Sequence, residues 1–322
     1  MGGQRDFLLS IHFTRKKIRD LGFWMCLGLT LILPFGCSRR ESSTPQASQT
    51  FREVTDDAGR RVAVPFRIDR IISLAPNLTE IIYAIGAGDS LVGDTSYCDY
   101  PPAAKTVEKV GDTLHPSIEK IIALRPQLVV VSTASQLEVF THQLETQNIA
   151  VFVTDPHDLE GVFLSINQLG TILDHDDQAR QLVRQLRSRT AAVEAAVKTT
   201  QPVRVFYQLS AEPLYTAGRD AFVTDLIRRA GGLSVTADVS GAWPKYSAES
   251  ALAARPEAII LPTGGSMGAG NATVAEPLQR SPAVVQGKVY RINDDHLVRP
   301  GPRAVDGLEE MARSLHPDAF KL

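Results

Sequence analysis

The run Ser117-Ile-Glu-Lys-Ile-Ile-Ala-Leu-Arg-Pro-Gln-Leu-Val-Val-Val-Ser-Thr133 returns, without a gap, as Ser247-Ala-Glu-Ser-Ala-Leu-Ala-Ala-Arg-Pro-Glu-Ala-Ile-Ile-Leu-Pro-Thr263. Over these 17 positions Ser, Glu, Ala, Arg, Pro and Thr keep their places, and most of the remaining positions stay apolar. Each copy reads as a short helix begun by a serine cap, closed before a proline, and followed by a buried strand of β-branched residues. A unit written twice predicts two similar lobes with a cleft between them. The matched Glu119 and Glu249 predict a partner that reads both lobes at once. An acid in a first helical turn is favoured by the helix dipole, by about 0.3–1 kcal/mol. That accounts for acidity but not for matched placement on two lobes. Neither glutamate completes a capping box, which needs the acid three residues after the serine rather than two.

The ends lie outside this fold. Arg15, Lys16, Lys17 and Arg19 precede an apolar run from Leu21 to Phe35 that closes on Gly36-Cys37. This is the pattern of a secretory signal over residues 1–36, and its apolar stretch is shorter than the roughly 20 residues that span a bilayer. Cys37 after a small residue resembles a bacterial lipobox, although Pro34 and Phe35 depart from its usual pattern, so Cys37 is the expected lipidation site. Residues 37–50, rich in Ser, Thr, Gln and Pro, are expected to be a flexible tether. Removal of residues 1–36 moves the formal charge from −2 to −5, which argues against nucleic acid as a partner. Of three cysteines, Cys98 alone would then remain free, so an intrachain disulfide or a cysteine metal cluster is excluded.

Strand-like runs at 68–74, 128–132 and 151–154 alternate with helical patterns at 78–85, 118–124 and 136–147, and the order repeats with strands at 203–208, 258–261 and 289–292 and helices at 221–230, 248–254 and 305–315. The alternation predicts an α/β fold: two Rossmann-like lobes with mainly parallel sheets, over 51–156 and 201–322. Between them, in the helical segment 157–200, apolar residues at 179, 182, 183, 186, 193 and 197 predict one helix from Asp177 to Lys198. At 1.5 Å per residue it would be about 33 Å long, long enough to join the lobes; the simpler alternative is one more surface helix of the first lobe.

Ligands of open parallel sheets sit beyond the carboxyl ends of the strands, which directs attention to the loops 75–77, 95–100, 111–113, 210–213, 241–246 and 294–303. These loops concentrate Tyr97, Tyr100, Trp243 and Tyr246, suited to a large, flat, partly apolar ligand. Trp243 lies in a Gly/Pro-flanked loop and reads as a platform or a structural plug. Asp295, Arg299 and Arg303 offer planar donors and an acid, or an internal Asp295–Arg299 pair. The candidate ligand set is Asn77, Tyr97, Trp243, Tyr246, Asp295 and Arg299. His115 and His296 lie on cleft loops but lack a second ligand at metal-site spacing, so no metal centre or resident cofactor is expected, and the ligand itself could carry a metal to which one of them is axial. The glycine-rich run 264–270 lacks the order and the lysine of a nucleotide loop. A secreted metal-dependent hydrolase would need clustered ligands or a nucleophile with its base, and neither is present. An adhesion protein would leave the cleft empty.

From about Arg67 to the C-terminus the chain resembles the cobalamin-binding receptors of ABC importers and, more widely, the helical-backbone (class III) periplasmic receptors for ferric siderophores, haem and cobalamin. The resemblance rests on Ser96-Tyr97-Cys-Asp-Tyr-Pro-Pro102, on Trp243-Pro-Lys-Tyr-Ser-Ala-Glu249, and on Asp295, Arg299, Pro302 and Arg303. It implies an extracytoplasmic, lipid-anchored, monomeric binding protein that does no covalent chemistry. Its ligand would be cobalamin or a related corrinoid, or alternatively a ferric siderophore or haem. It also implies that Tyr97, Trp243, Asp295 and Arg299 line the cleft and that Glu119 and Glu249 pair with arginines on the two subunits of a permease dimer. Thr113 departs from the pattern, since the cobalamin receptor carries a second tryptophan there.

Overall fold

The computed structural model describes residues 51–132, 137–264 and 273–321; Cys37, Gln136 and residues 265–270 of the glycine run lie outside them. A hairpin opens the fold, β1 (Phe51–Thr55) antiparallel to β2 (Arg61–Pro65). There follow β3 (Ile71–Ser73), α1 (Pro76–Ala84), β4 (Leu91–Gly93), α2 (Ile118–Ala123), β5 (Leu128–Ser132), α3 (Leu137–Glu145) and β6 (Ala150–Thr154). Strands β4-β3-β5-β6 form one parallel sheet in that order. Two helices come next, α4 (Leu159–Ile172) and α5 (Asp176–Val197). The second lobe runs β7 (Val203–Ala211), β8 (Leu214–Thr216), α6 (Phe222–Arg229), β9 (Gly232–Ser234), α7 (Ala248–Ala253), β10 (Ala258–Thr263), α8 (Pro282–Val285), β11 (Val289–Asn293), α9 (Asp294–Leu297) and α10 (Ala304–Leu315).

The second sheet orders β11-β10-β7, all parallel. The long β7 has two partners on its far edge: β9 runs parallel to its first residues, and β8 folds back antiparallel to its last. Strands β5, β6 and β10 are buried along nearly their whole length, as expected where helices cover both faces of a parallel sheet. Helix α5 buries Ala179, Val183, Leu186, Thr190, Val193 and Val197 on one stripe. Helix α4 packs along it, and Arg189, in its second half, reaches α10 through Asp306 at 2.6 Å and Glu309 at 2.8 Å. Composition did not point to the hairpin, to α4 as a separate helix, or to the short β4, β8 and β9, whose three residues each carry too little period to read.

The duplicated segment folds alike in both places. Ser117 Oγ accepts the Lys120 N–H at 3.3 Å and Ser247 Oγ accepts the Ser250 N–H at 3.2 Å, so each serine caps its helix. Beyond each helix the arginine is left-handed, Arg125 at φ +47° and Arg255 at φ +50°, and a buried proline follows. Proline alone would push the preceding residue to extended backbone. The left-handed turn instead closes the helix by returning the Arg125 N–H to Ile122 O and the Arg255 N–H to Leu252 O. The match extends outside the aligned segment. Arg70, ahead of β3, donates to Leu124 O at 3.0 and 2.5 Å, and Arg204, in β7, donates to Ala254 O at 3.2 and 2.6 Å. Each arginine places a cation on the carbonyl end of its helix, where the dipole favours it.

Candidate ligand cleft

The late segment 294–303 is the best-held part of the site. Asn293 Oδ1 accepts the Asp295 N–H at 3.0 Å and starts the single turn of α9. One turn places Arg299 four residues from Asp295, and their side chains meet at 2.8 Å. Arg299 is only 5 % exposed and also faces Asp99 at 3.1 Å, Glu80 at 3.5 Å and the carbonyl of Tyr97 at 3.4 Å. Arg303 grips both oxygens of Glu80, at 2.9 and 2.6 Å, with its guanidinium 4.2 Å from the centre of the Tyr100 ring. Asn77, buried at the start of α1, donates to Pro300 O at 3.2 Å. Gly301 lies so close that an added Cβ would stand 3.3 Å from Asn77 Cβ. Candidates Asn77, Asp295 and Arg299 therefore come together, with Tyr97 contributing its backbone, at a contact between the lobes.

Trp243 is positioned by its loop. Residues 241–246 run along β8: Thr216 N–H donates to Pro244 O, Gly218 N–H to Ala242 O, and Tyr246 N–H to Leu214 O. Gly218 has no alternative, because a Cβ there would lie 2.2 Å from Gly241 O. Zipped in this way, Trp243 turns one face to the buried Tyr207, ring centres 6.0 Å apart and tilted by 45°, and keeps 37 % of its surface open. Tyr246 is half-buried, its ring 6.2 Å from Phe206 in the core of the second lobe. Tyr97 is half-buried and Tyr100 exposed.

Several residues of the site were not singled out from the sequence. Glu80 is a lone acid in the otherwise apolar stretch of α1, a signal that was available. Tyr207 and Asp294 are buried beside one another, and neither the Tyr207 hydroxyl nor Asp294 Oδ1 makes a well-formed hydrogen bond. Burial pushes the Asp294 carboxyl up to about 6, with the charge of Asp295 adding to the rise and Arg299 and Tyr207 opposing it. Cys98 is buried, its Sγ 3.2 Å from both Thr79 Oγ1 and Thr95 Oγ1, and burial raises its thiol. His115 is exposed beside Asp112, whereas His296 Nδ1 is buried without a partner. Among the described residues no three His, Cys, Asp or Glu side chains gather in a way that would hold a metal ion. Thr113 sits in a loop pinched at Gly111, φ +118°, and Asp112 Oδ1 takes the N–H groups of Leu114 and His115.

A family model described as "Periplasmic binding protein" matches residues 71–295. The chain belongs to this family. An ABC transporter substrate-binding lipoprotein of Bacillus subtilis, YvrC, is 32 % identical over 312 residues, 93 % of this chain and 98 % of that one. The crystal structure of a periplasmic vitamin B12 binding protein of Vibrio cholerae, BtuF, matches with a TM-score of 0.70 at 30 % identity, covering 80 % of this chain and all of that one. A periplasmic haem-binding protein of Roseiflexus sp. RS-1, RhuT, matches with a TM-score of 0.69 at 26 % identity, covering 78 % and 99 %.

In this periplasmic binding protein Glu119 and Glu249 are both exposed, in the first turns of α2 and α7. Each is held the same way: its own N–H and the serine hydroxyl keep both carboxyls below the ordinary glutamate value. Both helix N-termini lie at the carboxyl edges of their sheets, the same edge as the cleft loops, because β5 and β10 begin where α2 and α7 end.

Proposed function

We propose that this protein is the extracytoplasmic substrate-binding component of an ABC importer, that it captures cobalamin or a related corrinoid between its lobes, and that it hands the ligand to a permease dimer. The observation that carries the reading is Trp243, an aromatic face fixed by a zipped loop, half sunk on Tyr207 and otherwise open at the carboxyl edge of the second sheet. The similarity to vitamin B12-binding proteins and to a substrate-binding lipoprotein supports it. The ligand would lie against Trp243, Tyr97 and Tyr100, with polar orientation from Asn77 and Asp295, while Tyr246 holds the Trp243 loop against the core.

Arg299 has a different part in this reading from direct ligand contact. Removing one partner of a buried charge pair costs about 3–5 kcal/mol, and Arg299 already serves three carboxylates. It holds the floor of the cleft. Glu119 and Glu249 are assigned to the two permease subunits, one lobe each, and Cys37 to a lipid anchor ahead of the tether 38–50 with residues 1–36 removed. In this reading the protein works as a monomer and does no covalent chemistry.

Haem or a ferric siderophore is the second reading, favoured by Thr113, which stands where the cobalamin receptors carry a second tryptophan. Titration of the purified protein with cyanocobalamin, hemin and a ferric hydroxamate, followed by absorbance, separates the two. Saturable binding of cyanocobalamin at micromolar concentration or below is expected. Tight hemin binding with no response to cyanocobalamin would replace cobalamin by haem.

A further inference from the structure

We infer that Glu80 is a positioning residue that latches the second lobe to the first and thereby sets the width of the cleft, a role that rests on the binding-protein reading above. Glu80 projects from α1 of the first lobe and is 4 % exposed. Its two oxygens are taken by Arg303 at 2.9 and 2.6 Å, and Arg299 stands 3.5 Å away, both arginines belonging to the second lobe. No other acid of the first lobe reaches both arginines among the described ion pairs; Asp99 reaches Arg299 alone and is half-buried.

The surroundings make the latch directional. Bidentate guanidinium–carboxylate pairing fixes orientation as well as distance, so the Glu80–Arg303 fork locks the rotation of one lobe against the other. The neighbouring links fall on the same line: Asn77 to Pro300 O at 3.2 Å, the close approach of Gly301 to Asn77, and Arg303 over Tyr100. On the other side of the cleft floor the lobes are joined by α5, with Arg189 bound to Asp306 and Glu309, and a pocket lined by Glu80, Tyr100, Leu186, Arg189 and Arg303 separates the two connections. Two attachments with a gap between them resist hinge opening where a single helix would flex. A buried ionic network adds little to stability compared with apolar packing, and its best-attested use is to specify one arrangement. The same network orients Asp295, which Arg299 holds at 2.8 Å.

The test uses the full chain with Cys26 and Cys37 changed to Ser and spin labels on Lys120→Cys and Ser250→Cys, exposed positions on α2 and α7; Cys98 is buried. Distances between the labels are measured by electron double resonance without ligand. One narrow distance is expected for the parent and a broadened, longer distribution for Glu80→Gln and for Arg303→Lys, which keeps the charge but loses the fork. The exchanged pair Glu80→Arg with Arg303→Glu is expected to narrow the distribution again relative to either single change. In parallel, cyanocobalamin should leave Glu80→Gln about tenfold faster, within the usual range of coupling between separated sites. Distributions of both single variants matching the parent, with the fold intact by circular dichroism, would overturn the latch whatever ligand the protein carries. If Glu80→Gln does not fold, Arg303→Lys decides the matter alone. Failure of cyanocobalamin to bind the parent would overturn the cobalamin reading and leave the distance measurement standing.

Discussion

Glu119 and Glu249 accept the same hydrogen bond: Ser117 Oγ donates to Glu119 Oε2 at 3.1 Å, and Ser247 Oγ donates to Glu249 Oε2 at 2.9 Å. The serine that caps each helix also aims the carboxylate, and the glutamate's own N–H lowers its pKa further. Both acids are exposed, so this local arrangement contributes little to folding. Its effect is to favour the ionised form of two carboxylates at equivalent points of two lobes. The double variant Glu119→Ala, Glu249→Ala is expected to lose uptake in cells while purified protein keeps its ligand affinity within about twofold, since neither residue belongs to the proposed ligand set. Uptake at the parental rate by the double variant would remove the docking assignment.

Trp243 rests on Tyr207 with one face and leaves the other open. Trp243→Ala is expected to weaken ligand binding by about 1–3 kcal/mol, the range of an aromatic anchor. The loop is held by backbone bonds to β8 rather than by the indole, so the melting temperature should move by only a few degrees. Isothermal titration beside a thermal melt separates the two effects, and an unchanged dissociation constant with a lowered melting temperature would make Trp243 a plug.

The two-lobe fold was legible because its information is local and periodic: the repeated helix–strand unit, the buried runs at 128–132 and 258–261, and the apolar stripe of α5. Loop positions were legible for the same reason, since a strand that ends where a helix begins marks the carboxyl edge. What Asp295 and Arg299 do was not legible. Spacing of four residues offered their pairing as an alternative to ligand contact, but the partners Glu80 and Asp99 lie 219 and 200 residues away from Arg299 in sequence. The same holds for Arg70 and Arg204, whose work on the ends of α2 and α7 depends on strand neighbours about 50 residues distant. Tyr207 read as one more core residue of a strand, and only packing shows its ring under Trp243.

Arg125 and Arg255 occupy left-handed backbone that glycine adopts without cost. For an ordinary residue that conformation costs about 1–2 kcal/mol, partly offset in the Gly variant by a more flexible unfolded chain. Arg255→Gly is accordingly expected to raise stability by about 0.5–1 kcal/mol, read as a shift of the urea midpoint with unchanged slope. A loss of stability would mean that the exposed Arg255 side chain contributes more than the strain removes.

Asp294 sets a pH dependence of known sign. Its carboxyl is pushed up to about 6 in the folded protein from the ordinary aspartate value of about 3.8, because burial disfavours the charge and Asp295 repels it. The folded state therefore holds this proton more tightly than the unfolded state. The stability it contributes is complete below about pH 4 and is lost as pH rises through about 6. A rise of this size corresponds to a penalty of about 2–3 kcal/mol at pH 8. Asp294→Asn, which keeps the neutral shape, should relieve much of that penalty at pH 8 and only about a third as much at pH 4.5, where the unfolded chain is already largely ionised. The comparison must be variant against parent at each pH, since Asp94, bound by Lys109 at 2.6 Å, is also raised to about 6 and titrates in both proteins. Urea unfolding at the two pH values gives the answer: a stabilisation at pH 8 that shrinks to about a third at pH 4.5 is expected, and equal effects at both would place the origin in packing against Tyr207 rather than in charge.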